Sequence, residues 1–225
     1  MGFGICVRVK GPRAVFSRPE FHTERVSYDV MTPSAARGII EAVYYKPELK
    51  WVIDSIEVLN RIEFDSIRRN EVGSKGNFSD FKKAYTAGGE PPVIAASDPS
   101  QRQQRNTLYL TNVDYVVRAH FELTGKGDTA VDTPEKHYNI ALRRLRKGQC
   151  FNQPYLGCRE FPAEVSLVED ADELPTSYYA DVEDKDLGFM LYDLDYENDM
   201  RPMFFRARMS HGVIDVAAVR DQVMA

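Results

Sequence analysis

The chain has 225 residues, of which 43% are hydrophobic, 28% charged and 11% aromatic. This composition is typical of a globular protein with one domain and a small appendage, long enough to bury a core. No run reaches the roughly 18 apolar residues of a membrane-spanning helix, which excludes that class of protein. The N-terminus lacks a secretory pattern, and the three cysteines form no C-x-x-C motif. We therefore expect reduced thiols, a cytoplasmic location and no contact with a membrane.

The charge is unevenly distributed along the chain. Residues 164–199 contain 13 acidic side chains and one basic side chain, although the net charge of the whole chain is only -5. Because the local field steers a polyanion, a nucleic-acid ligand stays compatible with this total. We interpret the acidic segment as a solvated surface or a face for a protein partner. Residues 184–188 and 193–197 begin like calcium loops but lack glycine at position six and glutamate at position twelve, so we predict no metal there.

Alternation of apolar and polar residues and two Thr-Pro pairs predict the secondary structure. Thr32-Pro33 and Thr133-Pro134 are helix starts, because threonine caps a helix and proline suits its first position. The second helix is predicted to end at Gly148. Period-two patterns or β-branched residues predict strands over 3–10, 51–64 (as one strand or two), 113–123, 161–168 and 204–209.

The order of these elements predicts the fold class. It matches an α+β protein with a ferredoxin-like (RRM-like) β-α-β-β-α-β domain over 1–168. A small C-terminal antiparallel β-sheet appendage is predicted over 169–225. Glycine, proline and polar residues over 68–107 predict a long, mobile insertion.

The second helix carries the most informative cluster of charge. It contains five cations without an acid among them, namely Lys136, Arg143, Arg144, Arg146 and Lys147. Such a run is often only a solvated surface. Here Lys136 and His137 lie in the first turn, where free backbone N–H groups attract an anion such as phosphate. The helix dipole also disfavours a protonated His137, which leaves it able to accept a proton. A neutral histidine beside a cation suits the transesterification of RNA, which needs no metal or cofactor.

Other residues are weaker candidates for RNA contacts. Arg118 and His120 share the polar face of the strand over 113–123, where His120 is either an RNA contact or a structural residue. Tyr44, Tyr45 and Lys46 end the first helix, where a tyrosine hydroxyl either packs or reaches a phosphate or 2′-OH. Further basic residues lie in the predicted insertion, among them Arg68 and Arg69.

Several separated motifs resemble one protein family. They span residues 11–16, 28–38, 41–47, 136–138 and 155–161, in the same order and over nearly the whole chain. The chain resembles the Cas-five proteins of type I-C (Dvulg) CRISPR systems, endoribonucleases that process precursor crRNA.

This resemblance implies both an activity and its residues. The family cleaves at the 3′ base of the repeat hairpin without a metal, leaving a 2′,3′-cyclic phosphate and a 5′-OH. Its Lys-His pair falls on Lys136 and His137, and its tyrosine on Tyr44, with Tyr45 as the alternative. The implied partners are the repeat hairpin and the backbone and large subunits of the type I-C surveillance complex, in which the protein stays on the crRNA 5′ handle.

Two other functions compete with this interpretation. A non-catalytic RNA-binding scaffold would use the same basic surface, and the Lys136-His137 pair argues against it. A DNA nuclease is disfavoured because the sequence shows no carboxylates with two-metal spacing. Weak binding of DNA remains compatible with the basic surface.

Overall fold

The computed structural model describes residues 3–128, 131–196 and 198–224. It has an α+β fold with a mostly antiparallel sheet, which confirms the predicted fold class at that level. No helix in these ranges is long and apolar enough to cross a membrane. The helices and strands are β1 (Gly4–Ala14), β2 (Arg25–Val26), α1 (Pro33–Val43), β3 (Leu49–Val58), β4 (Phe64–Val72), α2 (Phe78–Ala87), β5 (Arg102–Leu123), α3 (Pro134–Arg146), β6 (Glu164–Leu167), β7 (Lys185–Asp195), β8 (Arg201–Met209) and β9 (Val213–Asp215).

The main sheet is built around the long strand β5. Its order is β6-β1-β5-β3-β9, while β2 and β4 pair with the first part of β5. All of these pairs are antiparallel except that of β2 with β5. The alternating residues of β1 and β5, such as Val7 and Val117, are fully buried on one face. The helices α1 and α3 pack on this sheet against β3 and β6 and touch each other.

Both predicted helix starts are confirmed in detail. The Thr32 hydroxyl accepts a hydrogen bond from the backbone N–H of Ala35, and the Thr133 hydroxyl accepts one from the N–H of Lys136. Each threonine thereby satisfies an N–H that has no partner within the helix. Gly148 follows α3 with a positive φ of 61°, the conformation that glycine adopts without strain.

The predicted insertion over 68–107 is more regular than its composition suggested. Strands β4 and β5 pair without interruption from Phe64–Leu110 to Val72–Arg102, and α2 lies between them. We call this extension, residues 64–110, the arm. The two ends of segment 68–107 are thus regular strands, and the predicted mobility of the insertion stays a prediction. The strands of the arm are mostly polar, no residue of β4 or α2 is fully buried, and burial on β5 begins only at Thr107.

The C-terminal segment contributes to both sheets. Strands β7 and β8 form a separate antiparallel sheet, whereas β9 returns to pair with β3. Arg37 of α1 joins the second sheet to the main body, because its guanidinium lies 2.8 Å from Asp193 on β7 and 2.7 Å from Glu41. Several acidic residues of segment 164–199 have internal partners of this kind. The predicted domain division after residue 168 stays a prediction.

Gly157 closely approaches the backbone that leaves β1. It has a φ of +82°, and a Cβ atom there would lie 1.7 Å from the carbonyl oxygen of Val15. We expect Gly157→Ala to lower the free energy of unfolding by about 3 kcal/mol, through strain and displacement. Gly88→Ala is the control, since φ is +64° but no atom lies within 4 Å, and only about 1 kcal/mol of strain is expected. Urea denaturation measures both losses, and equal losses would contradict the steric argument.

Candidate active site

The end of α1 and the start of α3 meet at one buried hydrogen bond. The hydroxyl of Tyr44 lies 2.8 Å from Nδ1 of His137, and both side chains are 2% exposed. Tyr44 caps the C-terminus of α1 and donates its N–H to Ile40. Its carbonyl oxygen accepts a hydrogen bond of 2.8 Å from the indole of Trp51. The tyrosine is therefore held at three points, two through its backbone and one through its side chain.

The two neighbouring tyrosines point in different directions. Tyr44 has extended backbone angles (φ −148°, ψ 114°), so the helical spacing stops before it. In extended chain, successive side chains point to opposite sides. Tyr44 accordingly enters the core, while Tyr45 is 54% exposed. The structure brings Tyr44 to His137 and leaves Tyr45 with Lys46 on the surface.

His137 is buried as a neutral side chain. Burial lowers its pKa below the ordinary value, Asp132 opposes this shift, and Lys136 adds to it. The direction agrees with the expectation from the sequence, but burial rather than the helix dipole is the main cause. Its second nitrogen, Nε2, has no hydrogen-bond partner among the described residues. The nearest acidic oxygen is Oδ1 of Asp132, at 3.8 Å.

Lys136 is paired with the same carboxylate. Its Nζ lies 2.8 Å from Oδ1 of Asp132, and this hydrogen bond holds the pKa of Asp132 below its usual range. Sequence reasoning missed Asp132. The available signal was its position four residues before Lys136 and directly before the cap Thr133, which places it beside the first helical turn. Glu48 also lies here, and its Oε2 is buried without a hydrogen-bond partner in the described ranges.

The other cations of α3 divide into two groups. Arg144 stacks over Tyr44 with its guanidinium carbon 5.1 Å from the ring centre, and it donates a hydrogen bond to the carbonyl of Val43. Arg146 pairs with Glu169. Arg143 and Lys147 are exposed and form no ion pair within the described chain. Arg143 lies near enough to lower the pKa of Tyr44, and Lys46 and Lys136 lower that of His137, so these three cations give the surroundings of the Tyr44–His137 bond positive charge.

The remaining predicted RNA contacts lie elsewhere. Phe121 faces His137 with ring centres 6.4 Å apart, so Arg118 and His120, on the alternate positions of β5, face the other side of the sheet. Both are paired there, with Glu57 and Asp54. Arg68 and Arg69 belong to the arm, which is also separate from His137. Their roles in RNA binding stay predictions. No group of three or more potential ligands in the described ranges is arranged to hold a metal.

The sequence of the chain matches a known protein family over nearly its whole length. The Cas5d family model, described as "CRISPR-associated protein (Cas_Cas5)", matches residues 4–217. The chain belongs to the Cas5d family. A Mannheimia succiniciproducens protein named "CRISPR pre-crRNA endoribonuclease Cas5d" is 46% identical over 213 residues, covering 94% of each chain. A Thermus thermophilus protein with the same name is 37% identical over 237 residues, covering 97% of this chain and 93% of the relative.

Solved structures agree with this family assignment. One titled "Crystal Structure of CRISPR-associated Protein" is 27% identical, with a TM-score of 0.68, and the match covers 94% of this chain and 90% of the other. The resemblance inferred from the five sequence motifs is therefore confirmed at the level of the family. In this Cas5d chain the fold brings Tyr44 and His137 together at one buried point, and the exposed Lys136 is linked to them through Asp132.

The burial of His137 predicts a specific pH dependence of stability. Because the folded pKa is lowered, the unfolded chain binds a proton more readily. This contribution to stability is present above the unfolded pKa of about 6.5 and is lost as the pH falls through the folded pKa. We expect the wild type to lose more free energy of unfolding than His137→Gln on acidification from about pH 7 to pH 5. Denaturation of both proteins tests this, and an NMR titration of His137 at or above 6.5 would contradict it.

Proposed function

We propose that this Cas5d chain is a pre-crRNA endoribonuclease that cuts the 3′ base of the repeat hairpin by metal-independent transesterification. The products are a 2′,3′-cyclic phosphate and a 5′-OH. The observation that carries the proposal is the hydrogen bond between Tyr44 and a neutral His137, with the Lys136 ammonium in the same helical turn. Two relatives that are named pre-crRNA endoribonucleases and match nearly the whole chain support the choice of RNA.

Each of the three residues has a role in this reaction. The 2′-oxygen forms a bond to phosphorus, and the bond from phosphorus to the 5′-oxygen breaks. His137 handles the proton of the 2′-OH, and Tyr44 positions or activates that hydroxyl. Lys136 stabilises the negative charge that builds up on the phosphorane. The departing 5′-oxygen takes a proton from water, and His137 returns its own to the solvent.

The RNA has to displace an existing contact before it can react. Lys136 is bound to Asp132, and His137 is 2% exposed. A phosphate oxygen can replace the carboxylate of Asp132 as the partner of Lys136, because both are anionic acceptors. In this exchange the side chain of Lys136 moves, while Asp132 stays beside His137. The exposed cations Arg143, Lys147 and Lys46 then hold the flanking phosphates.

A ferredoxin-like core is part of this proposal. The strand order β6-β1-β5-β3 and the placement of α1 and α3 in the two crossovers support it. Such a core sets the ends of both helices side by side above one face of the sheet. We also infer that the protein stays on the crRNA 5′ handle and contacts the backbone and large subunits of a type I-C complex.

The decisive experiment tests metal dependence and the nucleophile together. A labelled hairpin repeat RNA is incubated with the purified protein in EDTA, beside the same RNA with a 2′-deoxy scissile nucleotide. We expect one cut at the base of the stem in the first RNA and none in the second, because the 2′-oxygen is the nucleophile. Binding without cleavage of either RNA would leave the scaffold function in place of the enzyme.

A matched pair of tyrosine variants tests the assignment of residues. Tyr44→Phe removes the hydroxyl that contacts His137, whereas Tyr45→Phe removes an exposed hydroxyl from the next residue. We expect Tyr44→Phe, Lys136→Ala and His137→Ala each to reduce the single-turnover rate by about 10²–10³-fold. Tyr45→Phe should retain the wild-type rate. The reverse order of the two tyrosine variants would move the active hydroxyl to Tyr45.

A further inference from the structure

We propose that Asp132 is the positioning residue for His137, as the carboxylate end of a hydroxyl–imidazole–carboxylate chain formed by Tyr44, His137 and Asp132. The inference rests on the proposed function and adds a fourth residue to it. It also sets the direction of proton transfer. A carboxylate beside one nitrogen of the imidazole determines whether the other nitrogen donates or accepts a proton.

The position of Asp132 is fixed by its own contacts. Its backbone N–H donates to the carbonyl oxygen of Asp128, and its Oδ2 accepts the N–H of Asp128 at 3.1 Å. Oδ1 therefore faces the active site, 2.8 Å from Lys136 Nζ and 3.8 Å from His137 Nε2. Gly127 packs so closely that a Cβ atom there would lie 2.9 Å from Oδ2. These contacts leave the carboxylate little freedom to turn away.

The charge of Asp132 selects one tautomer of His137. If Nε2 carried a lone pair, a buried acceptor would lie 3.8 Å from a carboxylate, and that arrangement is repulsive. If Nε2 carries the proton, the N–H points toward that negative charge. Nδ1 is then the acceptor, and the Tyr44 hydroxyl donates to it. Tyr44 can thus pass its proton to His137 only because Asp132 holds the other one on Nε2.

The charged groups around His137 leave Asp132 as the closest stabiliser of its protonated form. On α3 and the chain before it lie Lys136 and Asp132, and on the chain between α1 and β3 lie Glu48 and Lys46. The two lysines lower the pKa of His137 and the two acids raise it. Lys136 is neutralised by Asp132 itself, while the remaining contacts of His137 are the rings of Tyr44 and Phe121. An imidazolium formed here would be stabilised chiefly by Asp132.

The proton transfers in this chain balance. As the 2′-oxygen bonds to phosphorus, its proton passes to Tyr44, and the proton of Tyr44 passes to Nδ1 of His137. The resulting imidazolium carries protons on both nitrogens, with the Nε2–H directed at Asp132. After the 5′-oxygen has left and been protonated by water, His137 gives its extra proton back to the solvent. Asp132 stays ionised throughout and touches no reacting atom. The carboxylate of a serine-protease triad acts in the same way.

A competing explanation assigns Asp132 only to the RNA-free state. In that case the carboxylate does no more than neutralise Lys136 until RNA arrives, and its removal should speed the reaction or leave it unchanged. The two explanations therefore predict opposite changes in rate. Both predict that Asp132→Asn binds RNA as tightly as the wild type or more tightly, because a competitor for Lys136 is gone.

The experiment compares Asp132→Asn with Glu135→Gln, an equal change of charge in the first turn of α3 at an exposed side chain. We expect Asp132→Asn to slow single-turnover cleavage by about 10- to 100-fold without weakening the affinity for the 2′-deoxy RNA. Asp132→Glu, which keeps the carboxylate, should recover part of the rate, and Glu135→Gln should match the wild type. A faster or unchanged Asp132→Asn overturns the proposal, as does an equal loss in Glu135→Gln.

A second measurement does not depend on cleavage. Nitrogen-15 NMR of the RNA-free protein should show the Nε2–H tautomer of His137 in the wild type. In Asp132→Asn the pKa of His137 should fall further, because the group that raises it has been removed. A wild-type protein that does not cleave RNA would defeat the proposed function while leaving this test intact. An Nδ1–H tautomer, or a pKa unaffected by Asp132→Asn, overturns the positioning role itself.

Discussion

The hydrogen bond between Tyr44 and His137 is the constraint on which the site depends. It joins the residue that follows α1 to the first turn of α3, and both residues lie almost completely buried. Neither helix can shift along the sheet without breaking it or leaving a buried polar atom unpaired, which costs more than the bond itself contributes. The packing of α1 and α3 on the sheet therefore sets the chemistry, and the threonine caps that begin these helices set their registers.

Charge in the site is arranged so that a buried histidine stays neutral beside a cation. Burial and Lys136 keep the histidine neutral, whereas Asp132, which pairs with Lys136 and lies 3.8 Å from Nε2 of His137, acts in the opposite direction. Removal from water disfavours the imidazolium, and the nearby acid limits that effect. Because burial and a nearby acid act on this imidazole in opposite directions, its protonation state depends on which anion lies beside it. In the reaction proposed above, RNA is such a neighbour, because it is a polyanion that competes for Lys136.

Much of this arrangement could be predicted from sequence because it is local. The Thr-Pro starts, the basic face of α3 and the Lys136-His137 pair are all encoded within a few residues. The choice between Tyr44 and Tyr45 could not be made by helical geometry, since the helix ends at Val43 and Tyr44 is extended. Asp132 was missed because its function depends on a loop that folds it toward His137. The regular structure of the arm was missed because its strands are mostly polar and lack the apolar alternation by which strands are recognised.

The continuity of β5 has a consequence for how the arm can vary in length. The same strand begins at the far end of the arm and reaches Phe121 beside His137, and its nine pairs with β4 extend about 30 Å. Side chains on a strand alternate between faces, so a single inserted residue would exchange them, whereas two residues in each strand would not. An insertion of two residues in each strand would lengthen the arm by about 7 Å and keep its side chains on the same faces. The length of the arm is thus set in units of two residues per strand.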